Sequence, residues 1–331
     1  MTPSRAAVRL LLLLLLAAVA VLFSVRVGAV SMTTREVIDA FGGEGDETTL
    51  AIVRQLRLPR AVVASLVGAA LAASGATFQA LLRNPLAEPY ILGVSGGAAV
   101  GAVAAIVFGW AARAAWVVPA AALGGAIVAI LLVLRIAASV GRSLDTRILL
   151  LAGVVTGAFF NACILLALTL TDAESFRSAI FWMMGSFASA SWPAAGIFTL
   201  YFAPALLLLV ALGRPLNLMA IGEETAAHLG TRVEAVKLVA YGTASLLTAA
   251  SVAVSGVIGF VGLIIPHLVR LLWGSDYRFL IPASALLGAA FLAGADSIAR
   301  VAAAPAELPV GVVTAFIGVP FFVWLLRRRG T

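Results

Sequence analysis

Charge is scarce in this sequence. Of 331 residues only 11% are charged, while 63% are hydrophobic. Soluble domains run near 25% charged and about 45–50% apolar. A chain with so little polar surface cannot cover itself in water, so lipid must solvate most of it. Cysteine is nearly absent. With Cys163 alone, an intramolecular disulfide, a CxxC redox pair and a cysteine-based metal cluster are excluded. Cys163 falls inside an apolar run, where it reads as a small buried hydrophobe. Histidine occurs twice, as His228 and His267, with no HExxH motif, which argues against a zinc protease. Neither histidine is expected at mid-span, which leaves a serine hydrolase without its base. Lysine occurs once, as Lys237 after Val236. There is accordingly no GxxxxGK[ST] loop to cradle nucleotide phosphates. The chain offers no catalytic set and no metal ligands, and no cofactor is expected on it.

What is present is a series of long apolar runs. Stretches of about twenty apolar residues suit a bilayer core about 30 Å thick. They predict ten spans, at 8–29, 61–82, 91–110, 116–138, 148–170, 193–212, 237–254, 257–273, 279–300 and 308–326. An amphipathic stretch follows the fifth, near 174–190. A polar segment, 31–60, separates the first two. A charged loop, 213–236, follows the sixth. The start of the chain has a second reading. Arg5 and Arg9 before the run from Leu10 to Phe23 also fit a secretory signal peptide. The fold class expected is an all-α polytopic membrane protein, a single domain over 1–331.

The net charge of +7 is best explained by topology rather than by nucleic acid, because basic residues of membrane proteins concentrate in cytoplasmic loops. With the N-terminus inside, fourteen of the 22 basic residues lie inside, among them Arg83, Arg135, Arg142, Arg147, Arg214, Arg232, Lys237 and Arg327 to Arg329. Both termini are therefore expected in the cytoplasm. Arg54, Arg57 and Arg60 lie outside against this bias. Small residues such as Gly68-Ala69-Ala70 and Gly96-Gly97-Ala98-Ala99 let helices approach closely. A faint internal echo pairs Ala64-Ser65-Leu66, Ser74-Gly75 and Pro85 with Ala244-Ser245-Leu246, Ser255-Gly256 and Pro266, as in transporters built from repeats.

Carboxylates discriminate between energy sources. Ion-coupled secondary transporters keep ionisable groups near the bilayer centre. Of fifteen carboxylates, only Asp296 is expected inside a span, near its outer end. That disfavours the ion-coupled alternative and points to a separate ATPase on the cytoplasmic face. Three polar segments stand out. In the 213–236 loop, Gly222, Glu223, Glu224, Thr225, Ala226, Leu229 and Gly230 suit a short helix with acidic residues at its start and glycine at its end. It is either a docking helix or an ordinary loop helix. Arg83-Asn84-Pro85-Leu86-Ala87-Glu88-Pro89 breaks the chain with two prolines. It places Asn84 and Glu88 at the cytoplasmic surface, as either a constriction or a plain hairpin. Arg57-Leu58-Pro59-Arg60 opens the second span, with two arginines on one helix face. They either meet carboxylates of an incoming protein or bind lipid headgroups.

These segments resemble the FecCD family of ABC importer permeases, which import iron–siderophores, haem and vitamin B12. The resemblance covers nearly the whole chain. It is carried by Arg57-Leu58-Pro59-Arg60, by 75–79, by Arg83 to Pro89 with Leu92-Gly93-Val94-Ser95-Gly96-Gly97-Ala98, and by Leu150-Leu151-Ala152-Gly153. Further on it rests on Gly222 to Gly230, Gly259-Phe260-Val261-Gly262-Leu263-Ile264-Ile265-Pro266-His267, Ala295-Asp296 to Arg300 and Glu307-Leu308-Pro309-Val310-Gly311. The resemblance implies a type II importer permease fold in a homodimer, two ATPase subunits that use ATP and Mg, and a periplasmic or lipid-anchored binding protein. It implies that Arg57, Arg60 and Arg300 receive the binding protein. Asn84 and Leu86 match one cytoplasmic gate and Asp145 with Thr146 the other, Asp145 standing where a small hydroxyl residue is usual. The residues from Gly222 to Gly230 match the loop that enters the ATPase. The cargo implied is a metal chelate, crossing an inner membrane.

Overall fold

The computed structural model describes residues 3–28, 30, 32–140 and 145–329. Among these residues there are fifteen α-helices and no strand. Seven apolar helices are long enough to cross a membrane. They are α1 (Pro3–Arg26), the continuous rod that ends in α4 (Leu58–Leu81), α6 (Val117–Val140), α7 (Thr146–Thr169), α9 (Trp192–Ala211), α12 (Val233–Ser255) and α14 (Tyr277–Val301). A helix of 24 residues reaches about 36 Å at 1.5 Å per residue, enough for the hydrocarbon core. Three shorter apolar helices bring the set to the ten expected: α5 (Val94–Val107), α13 (Val261–Trp273) and α15 (Val310–Arg329). The chain is a multi-pass membrane protein.

The short helices explain where irregular backbone enters the bundle. α5 has 14 residues and α13 has 13, so each reaches only about 20 Å. A tight turn over Pro89–Leu92 precedes α5, and residues 256–260 precede α13. Non-helical backbone at membrane depth must be satisfied by protein. The two breaks satisfy each other. The Tyr90 hydroxyl donates to the Ile258 carbonyl at 2.8 Å and accepts from the Ile258 amide at 3.1 Å. The Glu88 carboxylate accepts from the Phe260 amide at 2.8 Å, at the start of α13. Glu88 thus reaches into the bundle, whereas the sequence places it at the surface. The proline break is held against the start of α13 by this pairing.

α4 is buried along nearly its whole length. Two glycine contacts let neighbouring backbones reach it. A Cβ on Gly68 would collide with the Gly288 carbonyl of α14, and one on Gly75 with the Gly262 carbonyl of α13. α1 packs into the same core through Leu13 and Ala17. It is part of the bundle's wall, which favours the span reading over the signal-peptide one.

Several elements differ from the sequence expectation. The segment 31–60 contains α2 (Thr34–Gly42), closed at its start by a Thr33/Glu36 capping box, and α3 (Glu47–Ala51), capped by Asp46. α3 runs through a π-helical turn, Ile52–Arg57, straight into α4. The amphipathic stretch is α8 (Ala173–Met183). The loop 213–236 holds two helices, α10 (Gly213–Ile221) and α11 (Glu223–His228). His267 lies buried in the middle of α13, contrary to expectation. The internal echo is out of register, since Gly75 lies inside α4 while Gly256 ends α12. Arg142, one of the orienting basic residues, lies outside the described residues.

Candidate functional site

Two charged clusters occupy opposite ends of α4. The first is built where α4 ends and the α10–α11 pair begins. α10 is held at its base. Asn217 donates to Asp276 at 2.7 Å and accepts from the Tyr277 amide at 2.9 Å. Asp276 caps α14 and also takes the Arg278 guanidinium at 2.8 Å. Hydrogen bonds from Arg278 and Asn217 hold its carboxyl well below the usual carboxylate range. The chain then turns at Gly222, with φ of 153°, into α11. Gly230, at φ 83°, ends α11, with Thr231 donating back to the Ala226 carbonyl at 2.9 Å, the closure expected of a glycine C-cap. Ala226 is buried, while Ile221, Glu224, Leu229 and Gly230 face outward.

Glu223 turns the other way. One carboxylate oxygen takes Lys237 Nζ of α12 at 2.6 Å, and the other takes Arg83 at 3.4 Å. Arg83 follows α4 in the left-handed region, at φ 46°. Next to it, the Asn84 side chain accepts from the Leu86 amide at 2.9 Å and folds the turn. Asp145 caps α7 by accepting from the Arg147 amide at 2.7 Å, and the Thr146 hydroxyl donates to the Leu81 carbonyl at 3.4 Å. A cavity of about 330 Å³ is lined by Leu82, Arg83, Asp145, Thr146, Arg147, Glu223 and Lys237. The expected gate residues Asp145 and Thr146 therefore share one space with Glu223. Asn84, exposed, and Leu86, half-buried, sit beside Arg83 but are not in that lining.

The second cluster brings together Arg57, Arg60 and Arg300, which the sequence assigned to docking, and turns them inward. Arg57 is buried and donates to the carbonyls of Val25, Arg26 and Val30. Arg300 is buried and donates to the carbonyls of Ser24 and Val27, both at 2.8 Å, and to the Ser24 hydroxyl at 2.7 Å. The two arginines thus close the end of α1, where unpaired carbonyls need donors. Arg60 grips Asp296 with two nitrogens, at 2.9 and 3.0 Å, and Glu307 at 2.9 Å. Asp296 is fully buried and also pairs with Arg300 at 3.2 Å. Glu307 stays 42% exposed. The sequence missed Ser24, Glu307 and Lys237 as partners. Only the four-residue spacing of Asp296 and Arg300 on one helix face signals any of this. Among the described residues no group of His, Cys, Asp or Glu could hold a metal ion.

Comparison with known proteins agrees with this architecture. Residues 14–328 match the FecCD transport family. The chain is 43% identical over 289 residues to YvrB, an uncharacterised ABC transporter permease protein of Bacillus subtilis, covering 87% of this chain and 82% of that one. It is 44% identical over 278 residues to BtuC, the vitamin B12 import system permease protein of Escherichia coli, covering 84% of each. A metal-chelate-type ABC transporter solved in an inward-facing conformation superposes with a TM-score of 0.86 at 32% identity, over 96% of this chain and 98% of that one. PsaBC from Streptococcus pneumoniae, solved with a Fab, gives a TM-score of 0.57 at 20% identity over 88% and 94%, a likeness of fold alone.

Proposed function

Because this chain belongs to the FecCD transport family and is the transmembrane permease subunit of an ABC importer, with the type II importer permease fold, we propose that it moves a metal chelate inward by alternating access. The cargo class is an iron–siderophore, haem or a cobalamin, the last being the substrate named for the relative BtuC. The whole chain acts as one permease domain. It works as a homodimer in an inner membrane with both termini in the cytoplasm. Two separate ATPase subunits hydrolyse ATP with Mg, and a periplasmic or lipid-anchored protein delivers the chelate.

The observation that carries this reading is the α10–α11 pair. It is anchored at its base by Asn217 and Asp276 and presents Ile221, Glu224 and Leu229 outward. Exposed apolar side chains beyond the spans, rimmed by charge, fit a protein surface. We assign this loop to the ATPase groove. The turns at Asn84–Leu86 and Asp145–Thr146 are the cytoplasmic gate. The binding protein docks at the opposite end, around Arg57, Arg60 and Arg300. Its carboxylates compete for guanidinium groups already held from within, and Arg60 at the rim, beside half-exposed Glu307, is the first within reach.

The ion-coupled alternative would need a free carboxylate within the bundle. Asp296 is shared by Arg60 and Arg300, and Glu88 caps α13. Both are committed to structure. The proposed docking is tested by purifying Leu229→Asp permease with its ATPase. The expected result is a folded permease that no longer copurifies with the ATPase. Unchanged copurification contradicts the assignment of the loop.

A further inference from the structure

We propose that Glu223 is the positioning residue that passes movement of the ATPase-docking helix to the cytoplasmic gate. This rests on the functional reading above and adds a path to it. Glu223 is the first residue of α11, yet its carboxylate faces the bundle while Glu224 faces away. Its two oxygens are divided between two other elements. One holds Lys237 of α12 at 2.6 Å, and the other reaches Arg83 at the exit of α4 at 3.4 Å. A shift of α11 therefore pulls on the residue that immediately precedes the gate turn at Asn84.

Three further observations make this more than a surface ion pair. Lys237 is the chain's single lysine, and its side chain is only 4% exposed. A buried ammonium is costly unless paired, so Glu223, with Glu234 at 3.5 Å, fixes it in place. Arg83 is one of two described non-glycine residues with left-handed backbone. Such strain persists only where the surroundings impose it, and it collects at switch points. The third observation is room. The cavity of about 330 Å³ is lined by Arg83, Glu223 and Lys237 together with Asp145 and Thr146. The Asp145–Thr146 turn therefore borders the same space as the carboxylate, and Arg83, next to Asn84, lines it too. The Thr146 hydroxyl reaches the Leu81 carbonyl at 3.4 Å, so the second turn is tied to the same end of α4. α10 makes its side-chain hydrogen bonds elsewhere, with Asn217 bonded to Asp276 and Tyr277 at the start of α14.

The test uses the whole importer, permease with its ATPase and binding protein, in vesicles where uptake of the chelate and ATP hydrolysis are read together. Glu223→Gln keeps the size of the side chain and removes its charge. The expected result is an assembled complex whose uptake per ATP hydrolysed falls about tenfold, the loss of one charge-assisted hydrogen bond. Arg83→Gln should give the same fall. The double variant should be no worse than either alone, since both remove one link. Glu223→Asp should recover part of the yield. Uptake per ATP unchanged in Glu223→Gln overturns the proposal, and so do losses that multiply in the double variant. Loss of the ATPase from the Glu223→Gln complex would make this carboxylate a docking contact and also overturn it. Wild-type uptake that ignores ATP would instead contradict the importer reading itself.

Discussion

At the Arg60 end of the bundle, Arg57, Arg300 and Asp296 are buried and every charge of the cluster is engaged. Three guanidinium groups, Asp296, Glu307 and the last carbonyls of α1 satisfy one another. At the α11 end the charges line an open polar cavity, and Arg83 and Glu223 remain partly in water. The first arrangement locks α1, α4 and α14 together. The second leaves its elements joined by a few ion pairs around space they can move into. Buried pairs lose heavily when one partner is removed, whereas partly exposed pairs contribute little to stability. The difference assigns rigidity to one end and motion to the other.

Substitutions at each end can break that contrast. The largest effect is expected for Asp296→Ala, which leaves Arg300 buried without a carboxylate and Arg60 with Glu307 alone. It should destabilise the permease by about 3–5 kcal/mol, seen as loss of monodisperse protein in detergent and a lower Tm. Next is Arg300→Met, which removes the donors to Ser24 and Val27. A loss of about 1–3 kcal/mol is expected, with faster hydrogen exchange confined to residues 24–28. Lys237→Met replaces a buried cation by an apolar chain of similar length, and Glu223 keeps Arg83 and partial access to water. Its stability should change by less than about 1 kcal/mol, measured by Tm in the same detergent. A large drop there would erase the contrast between the two ends. The smallest effect is expected for Glu307→Gln. It should leave Tm unchanged and tighten docking of the binding protein by about fivefold or less, since one rim competitor for Arg60 is gone, as read by titration of the two purified proteins.

The sequence made the spans legible because a bilayer demands long apolar runs, whatever their partners. It also marked the turns at 83–89 and 145–146 and the charged loop 213–236 as unusual. Depth and pairing were hidden. The two prolines at 85 and 89 announce a break, but nothing local says that Glu88 and Tyr90 reach the start of α13. α2 was within reach, because Thr33 and Glu36 have the spacing of a capping box. The carbonyl partners of Arg57 and Arg300 lie at the end of α1 and just beyond it, 27 or more residues away in sequence, and a guanidinium that meets carbonyls leaves no mark in residue types. An outward reading of these arginines was natural from topology. Their burial comes from tertiary packing at the end of α1. Glu223 and Lys237 are separated by a glycine turn and a helix start, so no helical spacing relates them.

The most direct test of the importer reading is uptake by vesicles that contain the permease, its ATPase and its binding protein, with a corrinoid, a ferric siderophore and haem offered in turn. The account predicts that one of these chelates accumulates only when ATP and Mg are present on the α11 side of the membrane, and that a proton or sodium gradient cannot replace them. Accumulation driven by an ion gradient without ATP would contradict it.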